Sequence, residues 1–149
     1  MSIFDPAPAP WPSRMLSVFR IVAGVLFVSF GTMKLFGYPP MPPMPPGVPA
    51  PVITVMSETW IAGVLEFVGG TLILIGLFTR PVAFILSGEM AVAYFRYHNP
   101  LSFFPTTNNG TPAIMFCWFF LYLVFAGAGV WSVDEALARR RRAGYVSQG

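Results

Sequence analysis

Charge is what this sequence has least of. Only 10% of its 149 residues are charged, against roughly 25% in an ordinary soluble domain. It has a single cysteine, Cys117, which excludes an internal disulfide and any cysteine-rich zinc site. Its single histidine, His98, excludes a bis-histidine haem pocket within one chain. Di-iron bundles use Glu-x-x-His, whereas Glu89 is followed three positions on by Val92. No glycine-rich phosphate loop occurs. The expectation is therefore no metal and no intrinsic cofactor. Cys117 lies in an apolar, aromatic stretch without a cation close in sequence and reads as an inert core thiol rather than a nucleophile.

What is there is apolar. Hydrophobic residues make up 55% of the chain, and one domain is the natural partition of this length. Four bilayer spans of about 20 residues would use roughly 80 positions and leave about 70 for loops and tails. Four apolar stretches answer to that arithmetic, giving spans at about 15–37, 59–79, 81–97 and 112–133. A Pro-rich outer loop, 38–57, separates the first two, and a basic cytoplasmic tail, 134–149, follows the last. Pro81 and Pro112 stand where a first helical turn tolerates proline. Tyr38, Trp60, Tyr97 and Trp131 lie near span ends, where amphipathic rings suit the headgroup level. Residues 1–13 lack the basic region and cleavage site of a secretory signal. The expected fold is all-α, a four-helix transmembrane bundle running up-down-up-down.

The basic residues orient it. Arg14, Arg80 and Arg139–Arg142 fall on one side of a four-span chain, while loops 38–57 and 98–111 carry no Lys or Arg. The positive-inside rule then places both termini in the cytoplasm. The arginine run reads as a cytoplasmic stop after the last span rather than a nucleic-acid patch, so no nucleic-acid partner is expected. Residues 39–51 hold eight prolines, favour polyproline II and cannot form a helix. They form either a stiff lid over the outer end or a docking segment for a partner protein.

The ionisable residues within the spans are Arg20, Lys34, Glu66, Glu89 and Arg96, with His98 at the border. A charged side chain alone at a bilayer centre costs at least about 2.5–3.5 kcal/mol, so these groups face one another, a cavity or the interface. Arg20, Gly24, Phe27, Gly31 and Lys34 recur at helical spacing on one face. Gly63, Glu66 and Gly70 share another, with glycines that admit a close neighbour. At about 1.5 Å per residue, Glu66 and Glu89 fall near the midplane, Lys34 and Arg96 roughly 10 Å outward, and Arg20 roughly 10 Å inward. The expected network has Lys34 and Arg96 reaching Glu66 from outside and Arg20 approaching Glu89 from the cytoplasmic side. It serves either to hold the helices together or to take a polar head group or a proton.

At these residues the chain resembles the DoxX family of small bacterial membrane proteins. The resemblance lies in RIVAGVLFVSFGTMKLFG (20–37), EFVGGTLILIGLFTRPVAFILSGEMAVAYF (66–95) and AGAGVWSVD (126–134). It implies a four-helix bundle in the bacterial cytoplasmic (inner) membrane and an association with quinone-linked, sulfur or oxidative-stress redox systems. Members often carry an acid after the outer-loop Asn-Gly turn, where this chain has Thr111. Two functions stay open. One is a subunit of a quinone-linked oxidoreductase, with the redox centre on a partner and a quinone or lipid at the buried acids. The other is a non-catalytic accessory or assembly subunit packed against a larger respiratory or photosynthetic complex. Expected partners are membrane lipids, other membrane-complex subunits or a second copy.

Overall fold

The computed structural model describes residues 11–43 and 53–146. Five helices and no strand occur among them. Helix α1 is Trp11–Phe36, α2 is Glu58–Ile75, α3 is Thr79–Ala93 continued by a π-helical turn Tyr94–His98, α4 is Thr111–Ala126, and α5 is Val133–Val146. Helices α1 and α2 are long and apolar enough to cross a membrane. Most of the Pro-rich stretch 39–51, expected as a lid or docking segment, lies outside the described residues.

Local chemistry sets the ends. Ser57 caps α2, its hydroxyl accepting from Trp60 N at 3.2 Å, with Glu58 in the first turn. Gly76 closes the same helix in the left-handed region at φ 70°. Its N–H reaches Ile73 O and that of Leu77 reaches Leu72 O, the paired bonds that satisfy a helix's last carbonyls. Phe78, two residues on, is at φ 50°, so left-handed residues on either side of Leu77 reverse the chain into α3. Helix α4 starts at Thr111–Pro112 and ends at Ala126, seven residues before the apolar run suggests. Gly127 at φ 82° and Gly129 at φ 77° break it. The expected plain basic tail is instead helix α5, whose N-terminus Ser132 caps by accepting from Glu135 N at 3.1 Å. Helix α1 begins at Trp11 rather than at residue 15.

Residues from α1 to α4 meet in one core: Phe27, Ile73, Ala83, Leu86, Met90, Ala113, Phe120 and Leu123. Phe27 lies edge-on to Phe120 with ring centroids 4.8 Å apart, a favourable aromatic geometry. Glycines bring α1 and α2 together. A Cβ at Gly24 would stand 2.7 Å from the Leu74 backbone, and one at Gly70 2.9 Å from Val28 N. No side chain fits there, so backbone meets backbone and many small dispersion contacts accumulate.

The exterior differs from that of a water-soluble protein, and several polar groups lie inside beside the apolar core. Arg20, Glu66, Thr79, Ser17 and Asn108 are buried, while Phe19, Phe84, Phe95, Trp118 and Phe125 stand more than half exposed. An apolar exterior of this extent matches an apolar surrounding.

Candidate functional site

The buried acids sit where α1, α2 and α3 pack. Lys34 lies in the last turn of α1. Its stem passes over Gly63, where a Cβ would come 3.0 Å from Lys34 Cβ; glycine leaves that route open. Lys34 Nζ then donates to Glu66 Oε1 at 2.5 Å. Glu66 is 3% exposed and belongs to a π-helical turn, Leu65–Gly69, inside α2. Widened turns of this kind are rare and concentrate at functional sites. Glu89 is on α3, the helix against which the Leu65–Gly69 turn packs.

The hydrogen-bond account does not close. Glu66 Oε2 and both carboxylate oxygens of Glu89 are buried and have no partner among the described residues. Leaving one buried acceptor unsatisfied costs about 1–3 kcal/mol, more when it is charged. One ammonium against two carboxylates can take up a proton, a small cation or a ligand that donates hydrogen bonds. No group of three or more His, Cys, Asp or Glu side chains that could hold a metal ion occurs among the described residues.

Arg20 does something else. It is fully buried and spends its donors on backbone carbonyls: Nε on Ala128 O at 2.8 Å, Nη2 on Trp131 O at 2.6 Å, and Nη1 on Leu74 O at 2.5 Å and on Ile73 O. Those carbonyls close α2 and follow α4, where helix ends carry partial negative charge. The expectation that Arg20 approaches Glu89 is therefore corrected: the carbonyls at its own end of the molecule are nearer and use the whole guanidinium fork. Ser17 adds to the clamp, its hydroxyl accepting from Trp131 N at 3.1 Å.

Arg96 is also corrected. It was expected on Glu66 but pairs with Glu58, which in turn accepts from the Tyr97 hydroxyl. The π-helical turn Tyr94–His98 carries Arg96 out to the first turn of α2, and both partners of that ion pair are more than half exposed. His98 stands apart from the acids as well: its Nδ1 is 2.9 Å from Asn108 O. Asn108 is buried, accepts from Gly110 N at 2.7 Å and donates to Ser102 O at 2.8 Å, which makes the Asn-Gly loop a folded unit.

Two clefts open elsewhere. One, of about 610 Å³, lies at the end that holds Arg80 and the start of α5, lined by Ser13, Phe78, Thr79, Arg80, Asp134 and Glu135 among others. The second, of about 350 Å³, is an apolar groove between α1 and α4. Neither is lined by Glu66 or Glu89.

A model of the DoxX family matches residues 15–99, which takes in Arg20, Lys34, Glu66 and Glu89. The chain belongs to the DoxX family. Among its relatives, an uncharacterized protein of Haemophilus influenzae is 40% identical over 129 residues, 84% of this chain and 92% of that one. An uncharacterized membrane protein of Mycobacterium tuberculosis is 28% identical over 96% of this chain and 98% of its own length. Inner membrane protein YqjF of Escherichia coli is 29% identical over 83% of this chain and 92% of its own. No solved structure matches.

Within this DoxX chain the structure joins Lys34 to Glu66, sets Glu89, without a partner among the described residues, on the helix packed against them, and leaves Arg20, Arg96 and His98 out of that group. It also adds a residue that the hydropathy pattern passes over. Asp134 accepts from Phe78 N and Thr79 N, both at 2.9 Å, and so caps α3 from the start of α5. The available signal was the Ser-x-Asp at 132–134, an N-terminal helix signature beyond the last apolar run. Glu58 was passed over because it lies one residue before the second apolar stretch.

Proposed function

We propose that this DoxX-family chain is a four-span, up-down-up-down protein of the bacterial inner membrane with both termini cytoplasmic. Its Lys34–Glu66–Glu89 group takes the hydroxyls of a hydroquinone head group. In this reading it is a subunit of a quinone-linked oxidoreductase whose redox centre is on a partner.

The observation that carries the reading is the set of three buried carboxylate oxygens without a donor. A phenolic hydroxyl supplies the missing donor. When a hydroquinone is oxidised it loses two electrons and two protons; the partner's redox centre takes the electrons, and Glu66 and Glu89 are acceptors for the protons. Lys34 keeps one positive charge at the site. The membrane part of the proposal is supported by the apolar exterior and by relatives named as membrane proteins.

The test is calorimetric titration of the purified full chain in mild detergent with a short-tailed hydroquinone. Saturable binding is expected, weakened about tenfold or more in Glu66→Gln or Glu89→Gln, the worth of one charge-assisted hydrogen bond. Absence of binding, or equal binding by both variants, sinks the reading.

One observation favours a second reading, an accessory subunit packed against a larger respiratory or photosynthetic complex. Neither cleft reaches the buried acids. In that case the acids serve only the packing of the helices, the isolated chain binds no hydroquinone, and a stable complex co-purifies.

A further inference from the structure

The larger cleft has a composition that the buried acids do not explain. Residues Ala126–Val130 line it, and their small side chains leave room. Arg80 lies against them: a Cβ at Gly127 would be 3.6 Å from its Nη2 and 3.8 Å from its Nε. The guanidinium donates once, from Nη1 to Val124 O at 3.1 Å, and is exposed along the cleft. Thr79 lines the same cleft and is fully buried, and its hydroxyl has no hydrogen-bond partner among the described residues. Asp134 and Glu135 line the cleft as well. Asp134 is fixed by the two N–H groups of Phe78 and Thr79. The hydrogen bond from Arg139 holds Glu135 below the usual carboxylate range, so it stays ionised.

Arg80, Asp134 and the Arg139-paired Glu135 do not suit a simple anion, which the two carboxylates repel. They suit a molecule that carries both signs. The surroundings add that it is an amphiphile. Phe78 lines the cleft yet is 64% exposed. The first turn of α1 borders two environments: Ser13 lines the polar cleft, while its neighbour Pro12 lines the apolar groove with Met15, Leu16, Phe19, Phe119 and Tyr122.

We infer that this cleft is a headgroup site for an ethanolamine phospholipid. Arg80 takes the phosphate, Thr79 supplies a hydroxyl donor, Glu135 and Asp134 take the ammonium, and the groove beside α1 accommodates an acyl chain. The inference rests on the membrane topology proposed above but not on the hydroquinone site. Selectivity follows from the chemistry. A choline head group has no N–H to donate to Glu135, and a glycerol head group brings its phosphate charge against two acids with no cation of its own.

The test uses the full chain, purified in mild detergent and freed of lipid. It is offered an equimolar mixture of ethanolamine, choline and glycerol phospholipids with identical acyl chains, and bound lipid is read by native mass spectrometry. Ethanolamine adducts are expected to exceed the others about tenfold, as one charge-assisted hydrogen bond allows. Glu135→Gln is expected to erase the preference of ethanolamine over choline while choline adducts persist. Arg80→Gln is expected to lower all three. Because Arg80 also holds Val124 O, Glu135→Gln keeps the test decisive if Arg80→Gln does not accumulate.

Equal adducts of the three lipids, or a glycerol-lipid preference, overturn the proposal; the latter assigns lipid binding to the arginines of α5. An unaltered preference in Glu135→Gln overturns it too. Displacement of the lipid by an equal concentration of soluble glycerophosphoethanolamine would make the ligand a free zwitterion and overturn the lipid assignment. Glu135→Gln is expected to bind the hydroquinone as the parent chain does, so failure here is distinct from failure of the proposed function.

Discussion

Arg20 is fully buried, and its hydrogen-bond partners are four backbone carbonyls rather than a carboxylate. Replacing it with Met leaves those acceptors buried and unpaired at about 1–3 kcal/mol each, and such a chain is expected to fail to accumulate in membranes. Arg20→Lys retains the charge but offers three donors on one atom instead of a planar fork. Its expected melting temperature in detergent lies clearly below that of the parent; equal values would show that the fork geometry is irrelevant. Lys34 and Glu66 form a different kind of unit. Lys34→Met strands a buried carboxylate, a loss of about 3–5 kcal/mol for a buried pair broken on one side. The double variant Lys34→Met/Glu66→Gln is expected to lose less than the sum of the two single losses, and a thermal-unfolding cycle measures the difference. Additive losses would contradict a coupled pair. The sequence makes Lys34–Glu66 legible because Glu66 is the one charge of the second apolar run and Lys34 is the cation of the first run that lies on its outer side. The partners of Arg20 were not legible, because every residue carries a carbonyl and only the chain reversal at Gly76 and the break at Gly127–Gly129 select which ones turn inward.

Helix contacts obey a simpler rule. Gly24 and Gly70 sit where α1 and α2 touch backbone to backbone, whereas a Cβ at Gly88 on α3 meets nothing within 4 Å. Gly24→Ala or Gly70→Ala therefore forces two helices apart, at an expected cost of about 1–3 kcal/mol. Gly88→Ala adds a better helix former into open space and is expected to be neutral or to stabilise by up to about 1 kcal/mol. Thermal melts of the three variants side by side check this, and equal destabilisation at Gly88 would refute it. The glycine spacing on α1 and α2 was visible in the sequence, as were the four apolar runs. The π-helical turns Leu65–Gly69 and Tyr94–His98 were not, since a widened turn depends on what packs against it rather than on local propensity. Helix α5 was masked in another way: its charges give no apolar run, so it was read as a tail although Ser132 and Asp134 mark a helix start.

At the scale of the whole molecule, the exposed Phe and Trp side chains require an apolar medium around α1 to α4, and the remaining question is which end meets the cytoplasm. Arg14, Arg80 and Arg139–Arg142 lie toward the end where Arg20 clamps α2 to the chain after α4. At the opposite end, residues 99–110 carry no basic residue. Lys34 and Arg96 are the basic groups of that end, and each is paired with a glutamate, which reduces the positive charge there. Basic residues close to span ends stay cytoplasmic, so both termini should be inside. Thr106 and Ala136 are exposed at opposite ends. In a Cys117→Ala background, Thr106→Cys is expected to react with a membrane-impermeant maleimide on intact cells, and Ala136→Cys only after the inner membrane is opened. Because the two positions flank α4, whose length is 16 residues, the result also decides whether that short helix crosses: labelling of both sites on intact cells would mean it does not, and the reverse pattern would invert the whole molecule.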